Sequence, residues 1–293
     1  MFDHFQPYPA RDDSPVLEAW TTLAALSQAT EKVMIGTLVS CAAYRSAAVT
    51  VKMAENLQIL STGRFCLGLG AGWDQPEFES LDIPFLSPAQ RSSQLEAALR
   101  ACRAAWYRSD AAQCAAAAGC TAADLAASHF ARGEERGPLL LVGGVGEKRT
   151  LPAAVAYADV VNWQVGMREF VRKSRVLAEL CEAVGRDPAS LVRTHAPNFQ
   201  LFDSEREFTR WRQSRDWGLS SAEVDAYIRN RGAFYGTAES IEATIEEYVD
   251  AGCGGFMIFC NSAPALESLE QLASLSVDGR WGSGGGFGSH PGD

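Results

Sequence analysis

The chain predicts an α/β fold of the TIM-like (β/α)8 barrel type, on three observations. Strand-like and helix-like stretches alternate along its 293 residues. The strands are nearly continuous in apolar residues, as in parallel sheets covered on both faces. The stretch 32–73 holds a strand, a helix and a second strand with no room for a hairpin, so those two strands run parallel. A doubly wound sheet would also alternate, but this length suits a barrel better. About six convincing strands can be read, not the eight of a closed barrel.

The first strand is KVMIGTLVS (32–40), β-branched and apolar, and its helix closes on Thr62-Gly63. The second, FCLGLGAGW (65–73), ends in alternating glycines, on the side where α/β proteins bind ligands. Residues 87–108 form a helix, with Leu95, Leu99, Cys102 and Trp106 as its apolar stripe and Pro88 at its start. Residues 109–137 are alanine-rich and offer little to bury, so they are read as a loosely packed insertion with a short helix near 121–128. Regular structure resumes with a strand at 138–142 (PLLLV), a helix at 146–158, a strand at 159–164 and a helix at 168–184. A strand at 192–202 and a polar, helix-rich region to about 235 follow. An amphipathic helix at 237–251 carries Ile241, Ile245, Tyr248 and Val249 on one face and leads to a buried strand at 254–259. A helix at 263–275 closes the domain, 1–275, and the Gly- and Ser-rich tail 276–293 is read as disordered.

Composition narrows the function. Net charge is −10, without a basic cluster, which disfavours nucleic acid and anionic membranes as partners. No apolar run approaches the ~18 residues of a membrane span, and the start, MFDHFQPYPARDD, lacks the features of a secretory signal. Eight scattered cysteines show neither CxxC nor zinc spacing. The expectation is a cytoplasmic protein with reduced thiols acting on a small molecule.

Three places could carry chemistry. The run Gly68-Leu69-Gly70-Ala71-Gly72 fails as a dinucleotide fingerprint, because Trp73 stands where the third glycine belongs. Its bare face either admits a flat ring or phosphate, or relieves crowding inside the barrel. Gly143-Gly144-Val145-Gly146-Glu147-Lys148-Arg149-Thr150 follows a strand and opens a helix. It is either a phosphate site, with free amides, a hydroxyl and two cations, or a glycine turn before a solvated charged turn. In Asp3-His4 a neighbouring carboxylate would hold the imidazole for proton exchange, or else the pair is solvated beside the N-terminus. His129 and His195 are read as surface and strand-packing residues, and Ser40 and Ser46 lack a nucleophile elbow.

Taken in order, these places resemble the luciferase-like monooxygenase family, particularly its branch using the deazaflavin coenzyme F-420. The matching stretches are DHFQP (3–7), EAWTTLAALSQATEKVMIGTLVS (18–40), YRSAAVTVKMAENLQILSTGRFCLGLGAGWDQPEFESLDIPF (44–85), LLLVGGVGEKRTLPAAVAYADVVNW (139–163) and GTAESIEATIEEYVDAGCGGFMIF (236–259). The resemblance implies a barrel with the cofactor ring across the C-terminal mouth and a non-proline cis peptide at Leu38–Val39 pressing on that ring. It implies Asp3 and His4 beside the ring, with His4 catalytic, and Gly70, Ala71 and Gly72 on the ring's side. Gly143, Gly144, Gly146, Lys148, Arg149 and Thr150 would take the phosphate. A homodimer is implied as well.

The departures are specific. Family members carry a strand, a helix and a strand before the Asp-His pair, so the resemblance reads this barrel as N-terminally truncated, with two strands missing, either through a start assigned too late or through real loss that leaves an open barrel edge. Ala42-Ala43 replace a usual Gly-Asn, and Trp73 stands where sugar-phosphate-oxidising relatives carry an acid. A deazaflavin would imply hydride transfer to or from an organic substrate, and reduced FMN in the same place a monooxygenase. The missing strands, Ala42-Ala43 and the Ala-rich insert also fit a non-catalytic relative that kept the scaffold for binding or assembly.

Overall fold

The computed structural model describes residues 1–7, 15–106, 137–214, 220–259, 270–273 and 275. The expected helix at 121–128, His129, most of the closing helix and the whole tail lie outside the described residues. Two compact units form, one from Met1–Trp163 and Arg175–Val192, the other from Gln164–Ser174 and the residues after Val192.

In the first unit, α1 (Ala19–Ala29) leads to β1 (Ile35–Gly36) and β2 (Ser40–Cys41). Then come α2 (Ala47–Leu60), β3 (Phe65–Gly70), α3 (Gln75–Ser80), α4 (Pro88–Trp106), β4 (Leu139–Gly143), α5 (Thr150–Tyr157) and β5 (Val160–Trp163). All pairings are parallel: β1 and β2 both flank β3, β3 pairs with β4, and β4 with β5. Phe65, Leu67, Leu69, Leu140, Leu141, Val142, Val160 and Val161 are at most 2% exposed. Each such side chain contributes about 1.5–3 kcal/mol. The α4 stripe is buried at Leu95, Leu99 and Cys102, and Trp106 is half-buried.

The expected strand 32–40 is instead two short strands separated by a cis peptide between Leu38 and Val39. Apolar content gives no sign of that break, because Leu38 and Val39 continue the pattern. Helix α2 starts on Ser46, whose hydroxyl accepts from the Val49 amide, and ends with Thr62 and Gly63 at positive φ. Helix α3 and the N-terminal α1, capped by Glu18, have no counterpart in the pattern reading. Helix α5 starts at Thr150, four residues later than read, because Gly144 has φ +128° and Arg149 is not helical.

Helix α6 (Met167–Ala183) spans the boundary between the units, and β6 (Val192–His195) follows it. The second unit then contains β7 (Phe199–Leu201), α7 (Glu205–Ser214), α8 (Ser221–Arg231), β8 (Phe234–Gly236), α9 (Ala238–Asp250) and β9 (Gly255–Phe256). The strand read at 192–202 is therefore two, with β6 parallel to β9 and β7 parallel to β8. Strand β8 lies inside the stretch read as helix-rich and is too short to show a period. His195 is fully buried, bonds the Gly232 carbonyl through Nε2 at 2.8 Å and stacks on Tyr248 at 4.4 Å. It is a packing histidine.

Among the described residues no helix is long and apolar enough to cross a membrane. Cys41, Cys66, Cys102, Cys181 and Cys253 are free thiols. Burial raises all five, Cys41 to about 11 and Cys66 to about 12, so they pack as small apolar groups rather than react.

Glu55 on α2 is 8% exposed, and its Oε2 has no hydrogen-bond partner among the described residues. Burial pushes this carboxyl from 4.5 up to about 7, against the pull of Lys52. The folded state then holds a proton that the unfolded chain has released, so stability falls as pH rises from 4.5 to about 7. Glu55→Gln should raise the thermal midpoint by a few degrees at pH ~8 and leave it unchanged near pH ~4, as read by calorimetry.

Candidate active site

The N-terminal residues reach the site along β1. The Met1 ammonium donates to the Gly36 carbonyl at 2.6 Å, and the Leu38 amide donates to the Met1 carbonyl at 2.7 Å. The segment that carries Asp3 and His4 is thereby tied to the chain at Gly36 and Leu38.

Asp3 does not hold His4, contrary to the expectation from their adjacency. Asp3 is 3% exposed and forms a two-pronged ion pair with Arg45, at 2.6 and 3.1 Å. Arg45 also reaches Glu18, the cap of α1, at 3.2 Å. Successive residues in extended chain point to opposite sides, so neighbours in sequence are poor partners for each other.

The carboxylate that holds His4 belongs to Glu77, on α3. Nδ1 of His4 lies 2.8 Å from Glu77 Oε2. The same oxygen accepts from the Tyr44 hydroxyl at 2.5 Å, and Oε1 accepts from the Phe5 and Gln6 amides at 2.7 and 3.1 Å. Glu77 is fully buried. Burial opposes its ionisation, but the bonds from Tyr44, the Phe5 amide and His4 outweigh it and hold the carboxyl below its ordinary range. Burial and the Glu77 charge push the Tyr44 phenol upward, so it stays a neutral donor. With Nδ1 donating to an ionised carboxylate, neutral His4 carries its lone pair on Nε2, a tautomer assigned from this hydrogen-bond network.

Ligand atoms of His4, Asp74 and Glu77 lie within 4.8 Å of one another. Glu77 already accepts four hydrogen bonds, which use the lone pairs a cation would need. The cluster is built to hold an imidazole.

Gly70 and Gly143 face the same neighbour. A Cβ on Gly70 would lie 2.7 Å from Val39 Cγ2 and 3.7 Å from the Gly143 carbonyl oxygen, and one on Gly143 would lie 2.8 Å from Val39 Cγ1. Gly68 would meet Val39 at 3.0 Å and the Thr37 carbonyl oxygen at 2.1 Å. The face read as bare is therefore filled by the Val39 side chain, which rests on a floor of three glycines. Thr37 latches this floor, accepting from the Gly68 amide and donating to the Gly68 carbonyl. Leu38 and Val39 remain half-buried.

Beyond β3, Ala71 is half-buried, and Gly72 has φ +79° with Cys41 and Phe78 too close for a Cβ. Arg91 braces this turn by donating to the Gly72 carbonyl at 3.2 Å, with its guanidinium 4.0 Å over the Phe85 ring.

The second expected loop closes on Thr150, whose Oγ1 would be 2.9 Å from a Cβ on Gly146. Gly144 to Gly146 are exposed, as are Lys148 and Arg149. Lys148 and Arg149 line a groove against α4 with Ser92, Ser93, Glu96 and Tyr157, and His4, Val39 and Trp73 are not among its walls. The structure thus ties Met1, three residues before His4, to Leu38, and brings Gly70 and Gly143 together on Val39. It does not bring the two cations into that group.

Glu77, Tyr44 and Arg45 were missed as site residues. The signal available was Pro76 at a helix start with an acid in the first turn, but nothing in the sequence connects position 77 to position 4. Glu77→Gln should cost about 2 kcal/mol or more in urea unfolding at neutral pH, because donors aimed at a charge lose it. Glu77 ionises more readily folded than unfolded, so its contribution is present above the ordinary carboxylate range and is lost as pH falls through its depressed value. The difference between variant and wild type should vanish there. Nitrogen NMR should also show His4 leaving the single Nδ1–H tautomer in the variant.

Comparison with known proteins shows the family of the chain. A model of the family described as luciferase-like monooxygenase matches residues 1–254. An F-420-dependent hydroxymycolic acid dehydrogenase of Mycobacterium tuberculosis is 34% identical over 105 residues, covering 36% of this chain and 29% of that protein. An uncharacterized protein of the same organism is 30% identical over 95 residues, covering 32% of this chain and 33% of its own length. These matches thus span about a third of the curated relatives. An F-420-dependent secondary alcohol dehydrogenase solved with an F-420–acetone adduct superposes with a TM-score of 0.73 at 19% identity, over 94% of this chain and 88% of that one. The EDTA monooxygenase of Chelativorans sp. BNC1 superposes with a TM-score of 0.72 at 13% identity, over 94% and 81%. With its matched segment covering most of the sequence, the chain belongs to the luciferase-like monooxygenase family.

Proposed function

We propose that the protein uses coenzyme F-420 to move hydride to or from a small organic substrate. The observation that carries this reading is the Glu77-clamped His4, on a segment whose first residue bonds Leu38. It offers an oriented proton-exchanging group in the same compact unit as an apolar ridge that a flat ring can rest on. F-420-dependent relatives, two dehydrogenases and a reductase, support the deazaflavin over other ring systems. The residues fit the group: Leu38, Val39 and the turn Gly70-Ala71-Gly72 would hold the ring. The turn from Gly143 and Gly144 through Gly146, Lys148, Arg149 and Thr150 would hold the anionic tail through exposed amides and cations.

A bound deazaflavin would supply a two-electron hydride donor or acceptor. The chain does the rest. Asp3 and Arg45 anchor the segment that carries His4. Glu77 and Tyr44 fix the imidazole, so Nε2 takes the proton from a substrate hydroxyl during oxidation and returns it during reduction.

A second reading, reduced FMN and monooxygenation, is favoured by the monooxygenases among the structural neighbours and by a riboflavin lyase solved with modified FMN. Titration of the purified protein with each cofactor, followed by absorbance, separates the two. Saturable binding of F-420, with weaker binding of FMN, is expected. His4→Ala should lower turnover by about 10²–10⁴-fold while leaving F-420 binding intact. Binding of FMN alone would overturn the deazaflavin assignment, and a fully active His4→Ala would remove the proposed role of His4. Cofactor binding without turnover in the wild type would favour the non-catalytic alternative.

A further inference from the structure

Strands β3, β4 and β5 are built almost wholly from apolar residues and glycine, and Asn162 is the one carboxamide among them. It is 6% exposed and stands next to the last residue of β5. Burying an amide costs free energy unless it is hydrogen-bonded, and an apolar side chain at that place would carry no such cost. The C-terminal ends of parallel strands are also where α/β proteins bind ligands.

The register fixes which way Asn162 faces. It is the partner of Gly143 in the β4–β5 pairing, and register partners on neighbouring strands send their side chains to the same face of the sheet. A Cβ on Gly143 would point at Val39, so the Asn162 side chain leaves β5 on the face that carries Val39. The Asn162 carbonyl accepts from the Gly144 amide at 3.3 Å. Asn162 therefore lies at the seam between the Val39 ridge and the glycine turn, where Val39 is half-buried and Gly144 exposed. A carboxamide offers two donors and two acceptor lone pairs, so bonds made inside the fold leave it positions for a ligand.

We propose that the Asn162 carboxamide binds the polyhydroxyl chain that joins the ring of a flavin or deazaflavin to its phosphate. The assignment rests on the reading that seats the ring on Val39 and the anionic tail on the turn 144–150. A chain of hydroxyls needs partners that both donate and accept. An apolar ridge does neither and a cation only donates, whereas an amide does both. FMN and F-420 share this chain, so the contact holds either cofactor and does not choose between them.

The test is a set of fluorescence titrations of the full chain, which need no turnover. F-420 and FMN are each compared with the same ring bearing a methyl group in place of the polyhydroxyl chain and phosphate (a 10-methyl deazaflavin and lumiflavin). Asn162→Ala should weaken F-420 by about tenfold and leave the methyl-bearing ring within about twofold of wild type. Asn162→Ser, which keeps a donor and an acceptor, should lose less, and it carries the test if the alanine variant does not fold. F-420 affinity unchanged in both variants, or equal loss of the whole cofactor and of the bare ring, would overturn the role of Asn162 and leave the cofactor reading standing. Wild type that binds FMN and not F-420, with the same selective loss in the variants, would sink the deazaflavin reading and leave the contact standing. Wild type that binds neither cofactor would sink both.

Discussion

One buried carboxylate organises the candidate site of this molecule. Glu77 accepts hydrogen bonds from four groups drawn from the N-terminal segment and from the turn after β2. A buried charge is costly unless it is fully satisfied, so the folded state is stable only when all four donors arrive together. That requirement ties the position of residues 4–6 to that of Tyr44 and to the start of α3. The imidazole inherits its orientation from the same constraint. Asp3 and Arg45 form a second buried anchor one residue away, which leaves the segment little freedom to slide.

The glycines solve a different problem. Leu38–Val39 turns the chain between β1 and β2, and the Val39 side chain needs somewhere to go. Gly68, Gly70 and Gly143 yield the space on β3 and β4. Any side chain at these positions would displace Val39 or the strands themselves in a tightly packed layer. The glycines therefore act through Val39: they seat the ridge that would meet a ring. This joins the two readings that were open for them, since relief of crowding is here the means by which the site is shaped.

Much of this was legible in the amino-acid order, for identifiable reasons. The apolar runs at 65–70, 139–143 and 160–163 announce parallel strands because both faces are covered, and the Leu95–Leu99–Cys102 stripe announces α4. Motif spacing placed His4 and the glycine turns, and the family pattern implied the cis peptide that is present at Leu38–Val39. The short strands β7 and β8 escaped because a few residues carry no period, and the break between β1 and β2 escaped the apolar pattern because its residues do not interrupt it.

Local order along the chain thus determined the strands, the helices and the residue that bears the imidazole, since each depends on near neighbours and on side-chain periodicity. Only the tertiary structure decided who holds that imidazole. Asp3 is adjacent in sequence but turned away toward Arg45, while Glu77 lies 73 positions distant and 2.8 Å away. Hydrogen bonds are made between groups that the fold brings face to face, and separation along the chain carries no information about that direction.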